Sequence, residues 1–190
     1  TETFAAVKLL IDNWRWQGVP FYLRTGKRMA KKVTEIAIRF RRPPVTLFRP
    51  GTAGAGFTPP GGASGVGGPA ANLLVLRVQP DEGFSLVIES KAPGQGLSLR
   101  QVAMDYSYGG TLKELPFSAY ETVLVDAMEG DMTLFKRGDQ VEQAWRLMDP
   151  VLEAWKDAPA RGLPVYEAGS WGPEAADALV ARDGRVWRRP

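Results

Sequence analysis

Six segments of the chain run apolar or alternate over strand lengths, and helical periodicities appear only after them. Phe4 to Ile11 is apolar at nearly every position, so periodicity fits either a strand covered on both faces or a buried helix; it is read here as a strand. A second run leads into Arg24. Beyond it, Ile36, Ile38 and Phe40 share one parity, while Glu35, Ala37, Arg39 and Arg41 share the other. This is the period-2 pattern of a strand with one buried face. LLVLRVQ (73–79) and FSLVIESK (84–91) form a predicted hairpin through Pro80, Asp81, Glu82 and Gly83, and LSLRQVAMDY adds a further strand.

Helices follow. Ser118 and Glu121 have capping-box spacing before TVLVDAM, with Gly130 as the stop. Asp139 and Glu142 repeat that logic. Val141, Trp145, Met148, Leu152 and Trp155 then fall at spacings of 4, 3, 4 and 3, one apolar stripe of a helix that Pro150 should kink or divide. A last short helix is expected from Pro173 to before Gly184. Consecutive antiparallel strands followed by helices predict an α+β fold: a large, mostly antiparallel β-sheet with helices packed on one face. Trp14 and Trp16, in the break after the first strand, read as core or interface aromatics. Residues 50–71 hold eight Gly and four Pro in 22 positions, too little apolar surface to offset their ordering entropy. They are expected to be a flexible loop within a single domain spanning 1–190.

Composition narrows the chemistry. The chain has no cysteine and no histidine. That removes thiolate zinc sites, cysteine nucleophiles and histidine-based acid–base catalysis from what these 190 residues do alone, and a reducing cytoplasm is the expected location. No segment is apolar for long enough to span a bilayer. Thr1 in place of Met reads as a cut inside a longer chain. The net charge is only +3, yet eight of the 24 basic residues lie between 24 and 42, with Glu35 the one acid among them. A clustered positive field suits an anionic partner.

The basic connector (Arg24, Gly26, Lys27, Arg28, Lys31, Lys32) reads as a solvated turn or as an anion site in which Lys27 and Lys32 donate charge-assisted hydrogen bonds. Arg77 and Gln79 share the parity of Leu73 and Val75 and need polar partners there. Asp126, Glu129 and Asp131 lack metal-loop spacing, and no metal is expected. Two further classes fit the residues alone, a basic nucleic-acid binder and a stand-alone scaffold or dimerisation module. The first is disfavoured, because the aromatics are not interleaved with the basic residues.

The segment DNWRWQGVPFYLRTGKRMAKKVTEIAIRF (12–40) resembles the C-terminal part of glucose-6-phosphate dehydrogenases. So do TETFAAVKL, LRVQPDEG, SKAPG, MDYSYG, LPFSAYETVLVDAMEGDMTLF, EQAWRLMDPVLEAW and LPVYEAGSWGPEAADALV, in the family's order. The resemblance implies NADP-dependent oxidation of the C1 hydroxyl of glucose 6-phosphate to the lactone. It also implies that the NADP-binding domain and the catalytic histidine lie upstream of Thr1, so this segment alone should be inactive, with no catalytic residue and no cofactor of its own. Lys27, Lys32 and Gln79 match the family's substrate contacts. Arg24 and Arg77 match a second, structural NADP site of some members, but Val33, Ala37 and Ser85 depart from it. A homodimer through the sheet is implied, and neither nucleic acid nor membrane is an expected partner.

Overall fold

The computed structural model describes residues 2–42, 70–94, 99–111, 119–157 and 162–190. Most of the Gly/Pro segment (50–69), Ser118 of the capping box and the start of LSLRQ lie outside the described residues. The chain divides into two compact units, 1–112 with 164–190, and 113–163.

In the first unit, β1 (Phe4–Leu10) pairs antiparallel with β2 (Pro20–Gly26), from Phe4 opposite Gly26 to Leu10 opposite Pro20. The connection turns on Asn13, whose side-chain oxygen accepts from the Arg15 and Trp16 amides at 3.1 and 2.9 Å. Trp14 at its tip is wholly exposed, so it is not a core residue of this chain. The second sheet has the order β3 (Thr34–Arg39), β4 (Leu73–Gln79), β5 (Gly83–Lys91), β6 (Leu99–Ser107), antiparallel throughout. The α+β reading holds, with a difference in layout: the strands form sheets of two and four, because the basic connector carries the chain from the β1–β2 pair to a new partner, β4.

Period 2 works in the four-stranded sheet with an unexpected polarity. Leu73, Val75 and Val87 share one face and form its buried cluster. On the other face the register lines up Ile36, Leu76, Phe84 and Tyr106, and beside them Ile38, Leu74, Leu86 and Met104. Sequence pattern buries the Ile36 face. Here Ile36, Ile38, Phe40, Phe84 and Met104 stay between 40 and 54% exposed. Alternation identifies a face that avoids water, not what covers it.

α1 (Tyr108–Thr111) is a single turn after β6. Close to its expected bounds, α4 (Glu174–Ala181) has Pro173 as N-cap, with φ −73° and ψ 152°, and Gly184 follows in left-handed backbone. Ala176 and Val180 are buried, and α4 packs beside β1. The second unit holds α2 (Ala119–Glu129), stopped at Gly130 (φ +76°), and α3 (Gly138–Asp157). α3 runs unbroken through Pro150, so the lost N–H removes one rung without dividing the helix. No residue of α3 is buried.

Candidate functional site

The basic connector leaves β2 at Gly26 and is held by a segment far along the chain. The Lys27 amide donates to the Thr3 carbonyl at 2.8 Å, the Gly169 amide to the Arg28 carbonyl at 2.8 Å, and the Ala30 amide to the Ser170 carbonyl at 2.9 Å. The Tyr166 hydroxyl lies 2.8 Å from the Lys27 carbonyl and 3.0 Å from that of Thr3. Beneath these bonds the Phe4 ring meets the Tyr166 ring edge-on, centroids 5.4 Å apart. A Cβ on Gly26 would sit 2.7 Å from this ring, and one on Gly172 2.4 Å from it. Two glycines therefore make room for one phenylalanine.

Arg28 adopts a positive φ of 50°, uncommon for a residue with a side chain. The tertiary hydrogen bonds on either side of it supply the hold such a conformation needs.

Lys27 and Lys32 are both exposed, and among the described residues neither ammonium finds an acceptor. Gln79 pairs with Thr34 across β3 and β4, so it stands at the connector's exit, opposite a residue two positions after Lys32, and is also exposed. The fold thus gathers Lys32 and Gln79 at one end of the β3–β4 pair, with Lys27 at the head of the same connector.

Arg24 is used differently. Its guanidinium carbon lies 5.1 and 4.9 Å from the ring centroids of Trp171 and Trp187, and Nη2 donates to the Arg188 carbonyl at 2.6 Å. Burial pushes its pKa down, opposed by the charge of Asp177. Nearby, Arg188 forms an ion pair with Glu35. Arg77 is likewise committed. Nη2 donates to the Tyr106 carbonyl at 2.8 Å and Nε to that of Asp81 at 3.3 Å, stitching the β4–β5 turn to β6. Neither arginine offers an unoccupied fork to a ligand.

A second charged cluster ties the two-stranded sheet to the end of α4. Asp183 accepts from Lys8 at 2.7 Å and from the Tyr22 hydroxyl, and Lys8 and Tyr22 are cross-strand partners. The Lys8 and Tyr22 hydrogen bonds hold the Asp183 pKa below the usual carboxylate range, and the bond to Asp183 raises that of Lys8. A carboxylate with a depressed folded pKa stabilises the fold above its unfolded value and ceases to as pH falls through the folded one. Melting temperature should therefore decline below about pH 4, and Asp183→Asn should shrink that acid limb. An acid limb unchanged in Asp183→Asn would show that this carboxylate is not linked to folding.

Among the described residues no cluster of carboxylates suits a metal ion, and no helix is long and apolar enough to cross a membrane. Asp131 serves a turn, accepting from the amide and hydroxyl of Thr133 at 2.9 and 2.5 Å. Sequence reasoning missed Tyr166, Trp171 and Trp187. The only signal for Tyr166 and Trp171 was the LPVYEAGSWGP block, which carries no chemistry until folding sets it against the connector, and Trp187, after Gly184, lay in no such block.

Comparison with known proteins decides the lineage. Residues 1–188 match the family described as Glucose-6-phosphate dehydrogenase, C-terminal domain. The chain belongs to this family. It is 48% identical to the glucose-6-phosphate 1-dehydrogenase of Treponema pallidum and 45% identical to that of Aggregatibacter actinomycetemcomitans. Each match covers all of this chain but only 34% and 35% of those proteins, so the chain spans about a third of their length. In structure it is similar to the glucose-6-phosphate 1-dehydrogenase of Mycobacterium avium (TM-score 0.74, 36% identity, all of this chain and 36% of that one). It is also similar to a glucose-6-phosphate dehydrogenase in complex with its substrate glucose-6-phosphate (TM-score 0.78, 30% identity, 98% of this chain and 35% of that one). As a glucose-6-phosphate dehydrogenase C-terminal domain, the chain has its RTGK motif at the connector, where β2 ends.

Proposed function

We propose that this chain supplies the C-terminal, substrate-contacting part of an NADP-dependent glucose-6-phosphate dehydrogenase, which oxidises the C1 hydroxyl of glucose 6-phosphate to the lactone. The observation that carries this reading is the connector: a pinned backbone that presents two ammonium groups with no acceptor among the described residues, in a family with a substrate-bound structural relative. Lys27 and Lys32 bind and orient the anionic sugar as point-charge donors, and Gln79 adds a weaker polar contact from the end of β4.

NADP is assigned to another part of the enzyme. When bound, it accepts the hydride, chemistry for which this chain has no residue. The engagement of Arg24 and Arg77 by Trp171, Trp187 and backbone carbonyls supports this assignment. The isolated 190-residue chain is expected to form no NADPH from glucose 6-phosphate, whereas an enzyme that combines it with the remainder of the protein should. Turnover by the isolated chain near that of the combined enzyme would contradict this division of labour.

The open apolar face of the four-stranded sheet supports a homodimer through that sheet, because exposed rows of Ile, Phe and Met on a folded protein mark association surfaces. Ile38→Glu on this face should shift the enzyme from dimer to monomer in sedimentation velocity. A dimer unaffected by Ile38→Glu would place the interface elsewhere.

A further inference from the structure

We infer that Tyr166 is a positioning residue for substrate binding, acting through the backbone of Lys27. The inference rests on the reading of Lys27 as a substrate contact and adds what sets that contact. Lys27 is fixed at both of its backbone polar groups: its N–H donates to the Thr3 carbonyl at 2.8 Å, and its own carbonyl lies 2.8 Å from the Tyr166 hydroxyl. The same hydroxyl is 3.0 Å from the Thr3 carbonyl, so one O–H spans the two carbonyls that bracket the Lys27 amide. The next residue, Arg28, sits at positive φ, and its carbonyl is taken by Gly169, three positions after Tyr166. A conformation that is unfavourable for a residue with a Cβ is thus imposed from outside the connector, and Tyr166 is the one side chain among those donors. Its ring is seated edge-on against Phe4 and survives removal of the hydroxyl.

The setting separates positioning from stability. The Tyr166 hydrogen bonds lie at the protein surface, where water replaces a lost partner at small cost. Placement of the Lys27 ammonium has no such substitute, because a flexible lysine stem takes its bearing from the backbone that carries it, and small misplacements of a binding group are costly.

The test is a cycle of Tyr166→Phe, Lys27→Ala and the double variant in an active enzyme carrying this segment, with KM for glucose 6-phosphate and for NADP, kcat and melting temperature recorded for each. Tyr166→Phe is expected to raise KM for glucose 6-phosphate about fivefold, with KM for NADP and kcat within about twofold and little change in melting temperature. In the Lys27→Ala background the same substitution should add almost nothing. A raised KM in Lys27→Ala with an unchanged KM in Tyr166→Phe would overturn the role of Tyr166 alone, including where Tyr166→Phe merely lowers the melting temperature. Equal increases in both backgrounds would also overturn it, since Tyr166 would then act independently of Lys27. An unchanged KM in Lys27→Ala would overturn the substrate reading and this inference together.

Discussion

Gly83→Ala is expected to destabilise the four-stranded sheet by about 3 kcal/mol or more. Gly83 opens β5 and lies opposite Ser107 on one side and Arg77 on the other. A Cβ there would stand 2.1 Å from the Tyr106 carbonyl oxygen, 3.0 Å from Arg77 Nη2 and 3.1 Å from the Ser107 Cα. The first and last are backbone atoms of a paired strand, so neither can swing aside. The Tyr106 carbonyl is also the acceptor for Arg77 at 2.8 Å, so relief of the clash breaks the stitch between the β4–β5 turn and β6. Ser85→Ala, two residues along the same face, should change stability by no more than about 0.5 kcal/mol. Urea denaturation distinguishes them by the shift in midpoint. A Gly83→Ala midpoint equal to that of the unsubstituted protein would mean that the two strands can separate there at no cost. Since the turn after Gln79 is part of this structure, loss of the stitch should also loosen that corner of the proposed substrate site.

Much of the fold was legible because its signals are local. The alternation at Ile36, Ile38 and Phe40, the turn at Pro80 to Gly83 and the stop at Gly130 each act within a few residues, and the structure has β3, the β4–β5 hairpin and the end of α2 there. The division into two sheets was not legible, because it depends on whether β3 prefers β2 or β4, a choice made across distant sequence. The same holds for exposure. Ile36 and Val75 look alike as apolar positions in strands, yet one is 54% exposed and the other 2%.

The site divides along the same line. Lys27 and Lys32 were visible as unpaired charge beside a glycine, and the structure keeps both exposed without an acceptor among the described residues. In sequence Arg24 lies in the same basic connector. Only the fold, which brings Trp171 and Trp187 across more than a hundred residues, takes it out of the ligand-binding set. Tyr166 was invisible for a related reason, since a tyrosine acquires a role here through a carbonyl that it meets 139 positions away.

The second large effect is expected at Lys27. Its ammonium is exposed and has no acceptor among the described residues, so Lys27→Ala breaks no bond seen there and should leave folding almost unchanged. Bound substrate is another matter: a charge-assisted hydrogen bond to an anion contributes about 1.5 to 3 kcal/mol, which corresponds to an increase in KM of roughly 10- to 150-fold. An exposed site places the effect near the lower end. Lys27→Arg should recover part of the loss, because it restores the charge but not the compact geometry of the ammonium. Uniform loss of ground-state and transition-state binding would raise KM with kcat little changed.

The central claim is that this chain contributes substrate contacts while the nucleotide is held elsewhere. Steady-state kinetics of the Lys27→Ala enzyme, with glucose 6-phosphate and NADP varied in turn, tests it most directly. The account predicts that KM for glucose 6-phosphate rises about tenfold or more while KM for NADP stays within about twofold. An unchanged KM for glucose 6-phosphate, or an equal rise for NADP, would contradict it.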